Sequence, residues 1–89
     1  MLKQEITIIN KLGLHARAAM KLVNTAGRFE SEILITFNNR EINAKSIMNL
    51  MVLGASKGSQ LTLTVTGNDE KNAMKAVVEL INDKFGEHE

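Results

Sequence analysis

Cysteine, proline, tryptophan and tyrosine are all absent from this chain of 89 residues, and phenylalanine occurs only 3 times. Each absence removes a class of explanation. Without cysteine, neither disulfides nor thiolate metal sites can hold the fold together. With so few aromatic rings, stacking platforms for nucleic-acid bases are scarce. An excess of one charge is also lacking. The 11 basic residues face 10 acidic ones, and the net charge of +1 exerts no long-range pull on nucleic acid or an anionic membrane. No apolar run approaches the roughly 18 residues of a membrane span, and the opening Met-Leu-Lys-Gln-Glu holds no apolar signal-like core. Together these features predict a soluble cytoplasmic protein with neither nucleic acid nor membrane as partner. The 2 histidines lie far apart, at His15 and His88, and no spacing of His, Cys or carboxylates supports a metal site.

The hydrophobic fraction of 44% suits one small domain over residues 1–89. A domain of this size buries only about 60% of the surface its unfolded chain exposes, so its chemistry is expected near the surface. Glycine punctuates the pattern. Leu2–Ile9 alternates as a strand, and Asn10–Leu14 is a loop. From Ala16 the period turns helical: Ala16, Ala19, Met20, Val23 and Ala26 form an apolar stripe flanked by Leu22, and Gly27 ends the helix. Arg17, Lys21, Asn24 and Arg28 form a mostly basic stripe on the other side. Glu32–Phe37 and Arg40–Asn43 read as two strands joined by Asn38-Asn39, a pair that tolerates positive φ. Ser46 precedes the short helix "IMNLMVL", which stops at Gly54. Gln60–Thr66 is a strand with Leu61, Leu63 and Val65 on one face and threonines on the other. Asn68 or Asp69 caps a last helix whose stripe is Ala73, Met74, Val77, Val78, Ile81 and Phe85. Gly86 ends it, leaving Glu87-His88-Glu89 as a tail. The order β-α-β-β-α-β-α predicts an α+β fold with one antiparallel sheet and helices on a single face.

One stretch draws attention within this pattern: "NKLGLHARAAMKL", Asn10 to Leu22. His15 falls at the N-cap of the first helix. The amides of Ala16, Arg17 and Ala18 then have no intrahelical partner and carry the positive end of the helix dipole, which makes a binding place for an anion. Arg17 adds a guanidinium suited to phosphate or carboxylate. The same positive field disfavours the imidazolium, so a neutral ring with a free lone pair is expected. A phosphoryl group accepted by that ring would bring negative charge among N–H donors. Glu5 and Glu30 are the nearest carboxylates on either side in sequence, and an acid brought in by the fold stays open. By themselves His15 and Arg17 fit the plainer reading better, a polar cap on a solvated helix.

The second stretch is "KSIMNLMVLGASKG". Ser46 stands at an N-cap, and the helix after it is apolar nearly all round, more than one buried side requires. Surplus apolar surface rich in methionine suits partner docking. A phosphoryl group on Ser46 would lie favourably at the helix N-terminus while opposing a partner on that surface. An ordinary serine cap on a helix buried on two sides fits as well.

Taken together, "GLHARAA" at Gly13–Ala19 and "KSIMNLMVLGASKG" at Lys45–Gly58 resemble the active-site motif and the regulatory-serine segment of HPr, the histidine-containing phosphocarrier family of the bacterial phosphotransferase system. The resemblance spans the chain. It implies an open-faced β-sandwich with strand order 1-4-2-3 and three helices on one side. It implies a relay without turnover of its own: His15 takes a phosphoryl group on Nδ1 from phosphorylated enzyme I and passes it to a IIA component. Arg17 would steady the group, with the backbone of Ala16, Arg17 and Ala18 around it. Ser46 would be the target of an HPr kinase/phosphorylase, and Leu14, Lys21, Ile47, Met48 and Met51 would help form the docking surface. No cofactor or metal is implied. The family usually has proline where this chain has Ala18, which keeps its N–H, and often glycine at Asn49. A binding module governed by Ser46 alone, with little or no relay role, is the competing reading, and the sugar-uptake and nitrogen-related branches both stay open.

Overall fold

A computed structural model describes all of residues 1–89. Strand β1 is Leu2–Thr7, helix α1 Ala16–Ala26, β2 Glu32–Phe37, β3 Arg40–Asn43, α2 Ile47–Leu53, β4 Gln60–Thr66 and α3 Glu70–Asn82, with a short 3-10 turn at Lys84–Gly86. The four strands form one antiparallel sheet in the order β1-β4-β2-β3. The long, strictly alternating β4 takes a central place, between β1 and β2. Its Leu61, Leu63 and Val65 join Ile33 and Ile35 of β2 and Ile6 of β1 in the same apolar cluster as Ala19, Leu22, Ala73, Val77 and Ile81 from the helices. The other sheet face is open, and there the register sets Thr64 between Lys3 and Leu34, which leaves it only 8% exposed. Asn38 and Asn39 adopt φ of 51° and 64°, the left-handed pair that a two-residue hairpin needs to match strand twist.

Two apolar stripes differ from their expected course. In α1 the buried residues are Ala18, Ala19, Leu22, Thr25 and Ala26, while Ala16 and Met20 face solvent. The period is the expected one, but the phase is rotated. Alanines on both flanks make the stripe ambiguous, and the helix comes closest to α2 and α3. In α3 the stripe ends at Ile81 and the helix at Asn82, not Gly86. Lys84, Phe85 and Gly86 then turn left-handed, with φ of 56°, 55° and 77°. Phe85 reaches the core through this turn, as the largest of the fully buried side chains.

Asp69 occupies the N-cap of α3 as expected, yet its carboxylate does not cap that helix. It accepts instead from the amides of Glu30 at 2.9 Å and Ser31 at 3.0 Å, and from the Ser31 hydroxyl. This clamps the loop before β2 to the turn after β4. Gly67 lets the two meet, because a Cβ there would lie 2.6 Å from Ser31 Oγ. The Ser31 hydroxyl and then the Glu30 amide hold the Asp69 carboxyl below the usual range, against the opposing pull of burial. A carboxylate depressed in the fold contributes stability that is present above its unfolded pKa, about 3.9 for Asp, and is lost as pH falls through the folded value. Urea midpoints followed into acid are therefore expected to fall less steeply for Asp69→Asn than for the parent; parallel curves would show that the clamp has no such role.

Candidate functional site

Helix α1 begins as the sequence predicts. His15 is its N-cap, in extended backbone at φ −79° and ψ 178°, and its carbonyl accepts the first helical bond from the Ala19 amide at 2.8 Å. The amides of Ala16, Arg17 and Ala18 thus precede the hydrogen-bond ladder. The His15 side chain makes no cap bond, so the ring is free for other work. Arg17 is exposed and forms no ion pair with any carboxylate of the chain. Both residues line one open cleft with Lys11, Leu12, Ala16, Glu87, His88 and Glu89.

The loop that delivers His15 is tightly held. Gly13 takes φ +67°, and a Cβ on it would fall 2.6 Å from the Ala55 carbonyl oxygen and 2.7 Å from Ser56 Cα. Only glycine fits this approach. The Leu14 amide then donates to that same Ala55 oxygen at 2.8 Å. Asn10, fully buried, spans the loop by donating from Nδ2 to the Gly13 carbonyl at 2.7 Å.

The C-terminal segment completes the site. It is no loose tail: the Lys11 amide donates to the Glu89 carbonyl at 2.8 Å, and Lys21 Nζ donates to the Phe85 carbonyl at 2.6 Å. These contacts lay Glu87 against the ring. Its Oε2 meets His15 Nε2, while its Oε1 accepts from Asn10 Nδ2 at 2.9 Å. Burial opposes the Glu87 charge, but the hydrogen bonds from Asn10 and His15 and the nearby ammonium of Lys21 outweigh it, so the carboxyl is held below its ordinary range. No carboxylate lies near His15 in sequence, and the fold supplies one. The acid comes from 72 positions away, brought by the turn at Phe85. Nδ1 of His15 makes no hydrogen bond within the chain, because the ring's one contact is through Nε2.

Ser46 caps α2, its hydroxyl oxygen accepting from the Asn49 amide at 3.5 Å. Beyond it Met48, Met51 and Val52 are exposed, and Ile47 is half-buried. Leu14 is corrected: at 5% exposure it is a core residue, turned inward by Gly13, and Leu12, 68% exposed, stands at the cleft rim instead. Lys21 is half-buried with its ammonium engaged by the Phe85 carbonyl. Sequence reasoning missed Asn10, Leu12 and Glu87. The signals available were the apolar ring of Phe85 and the glycine after it, which mark a buried turn without saying where the following residues land.

Residues 2–83 match the family model described as the PTS HPr component phosphorylation site. The phosphocarrier protein HPr of Neisseria meningitidis serogroup A is 55% identical, with 100% of both chains aligned. That of Cupriavidus necator is 52% identical, again over 100% of both. Among solved structures, HPr-C-His from Thermoanaerobacter tengcongensis superposes with a TM-score of 0.96 at 48% identity, covering 100% of each chain.

Proposed function

The chain belongs to the HPr phosphocarrier family of the phosphotransferase system, and from that membership we propose that His15 is its phosphoryl acceptor, charged by phosphorylated enzyme I and discharged to a IIA component. The Nδ1 lone pair forms the new N–P bond as the bond from phosphorus to the donor breaks, with that electron pair staying on the donor. Amides of the first turn of α1 and the Arg17 guanidinium face the charge that arrives. The protein carries the group and does not turn over a substrate. Ala18 retains an N–H where the family usually has proline, which adds a donor to this turn. The observation that carries the reading is the ring at the N-cap of α1 with Nδ1 unpartnered and Arg17 in the same cleft.

Ser46 supports a second, compatible role. It caps α2 beside exposed Met48 and Met51, so a phosphoryl group there would add charge next to an apolar surface without breaking a buried contact. Ile47, Met48 and Met51 are the residues we assign to partner docking. Incubation with phosphoenolpyruvate and enzyme I is expected to give an acid-labile phosphoryl that a IIA protein removes. ATP and an HPr kinase/phosphorylase are expected to give an acid-stable one that Ser46→Ala abolishes. A chain that takes no acid-labile label contradicts the relay.

A further inference from the structure

We propose that Glu87 is a positioning residue for the relay: it keeps a proton on Nε2 of His15 and so leaves the lone pair on Nδ1. The inference rests on His15 being the acceptor. A neutral imidazole carries its proton on either nitrogen, and the hydrogen bond made by one nitrogen decides the state of the other. Here the choice is fixed by a chain of contacts. The Gly13 carbonyl can only accept, so it turns the Asn10 amide with Nδ2 inward. The second hydrogen of that Nδ2 goes to Glu87 Oε1. Oε2 is thereby aimed at Nε2, and an ionised carboxylate can only accept. Nε2 must then hold the proton.

The same contact serves the product. Attack through Nδ1 leaves the ring positive, with its proton still on Nε2, and the Glu87 carboxylate lies against that charge. No proton has to leave during transfer, and when the group moves on the ring returns to its starting tautomer. The tail holds Glu87 in place from both sides, through Phe85 buried in the core before it and Glu89 bonded to Lys11 after it.

The chain of contacts makes a sharp distinction between two substitutions. In Glu87→Gln the amide oxygen stays on Asn10 Nδ2, because two NH₂ groups cannot face each other, and the new NH₂ group faces Nε2. It donates, which drives the ring proton onto Nδ1 and occupies the nucleophile. Glu87→Ala merely removes the bias. The test records the ring nitrogens of His15 by heteronuclear NMR at a pH where the imidazole is neutral, and the rate of phosphorylation by enzyme I. We expect the Nε2–H form in the parent, the Nδ1–H form in Glu87→Gln, and a rate roughly 10- to 100-fold lower for Gln with Ala between it and the parent. The inference is overturned if folded Glu87→Gln keeps the parent's tautomer, or if Gln is as fast as the parent. Should the parent itself accept no phosphoryl, the relay reading fails, while the tautomer measurement still decides what Glu87 does to the ring.

Discussion

His15→Ala, incubated with phosphoenolpyruvate and enzyme I, is expected to take up no acid-labile phosphoryl while the parent is labelled. On the proposed relay the effect is all-or-none, because the substitution removes the nitrogen assigned as nucleophile and nothing nearby replaces it. His88 lines the same cleft and is the one other imidazole in the chain. It is exposed, however, and stands on the terminal segment and not at the first turn of a helix, so the arriving charge would meet no fixed amides. The substitution leaves the core alone, since His15 lies outside the buried cluster. Glu87 keeps its bond from Asn10. Equal labelling of His15→Ala and the parent would place the acceptor elsewhere.

Phe85→Ala is expected to lower the free energy of unfolding by about 3–5 kcal/mol, the cost of emptying a fully buried phenylalanine site. Lys84 and Phe85 are both left-handed, a conformation that disfavours ordinary residues by roughly 1–2 kcal/mol each. The turn persists because it drives the ring into the core and sets the Phe85 carbonyl on Lys21. Without the ring, nothing compensates the strain, and the segment from Lys84 to Glu89 is expected to leave the surface. Chemical denaturation measures the first effect. Loss of the Glu87 influence on the His15 ring nitrogens measures the second. A change below about 0.5 kcal/mol, the range of ordinary surface substitutions, would show that Phe85 does not anchor the tail.

These two residues also mark the boundary of what could be read from the chain alone. His15 was legible as the N-cap because the signals are local: a loop glycine before it, a following arginine and a helical period all lie within one stretch. The strands were legible for the same reason. Alternation in Gln60–Thr66 and the paired asparagines at 38 and 39 fix faces and register within a few residues. Glu87 was not legible, because nothing in Gly-Glu-His-Glu states where it lands. Its position follows from a left-handed turn at Lys84–Gly86 that only Gly86 advertises, and from a burial that only the finished core can provide. The phase of α1 was hidden by a different cause. Ala16, Ala18 and Ala19 are chemically alike, so the face chosen depends on the neighbours the finished fold supplies, α2 and α3 among them. Leu14 shows the converse error, an apolar residue beside His15 read as surface when Gly13 turns it inside.

The central claim is that a ring held by a carboxylate on Nε2 presents Nδ1 to the phosphoryl group. The measurement that tests it most directly is the site of attachment in the phosphorylated protein, read by NMR from coupling between phosphorus and the imidazole nitrogens of His15. Coupling to Nδ1, with the proton retained on Nε2, is the predicted result. A phosphoryl group on Nε2, the nitrogen that Glu87 occupies, would contradict it.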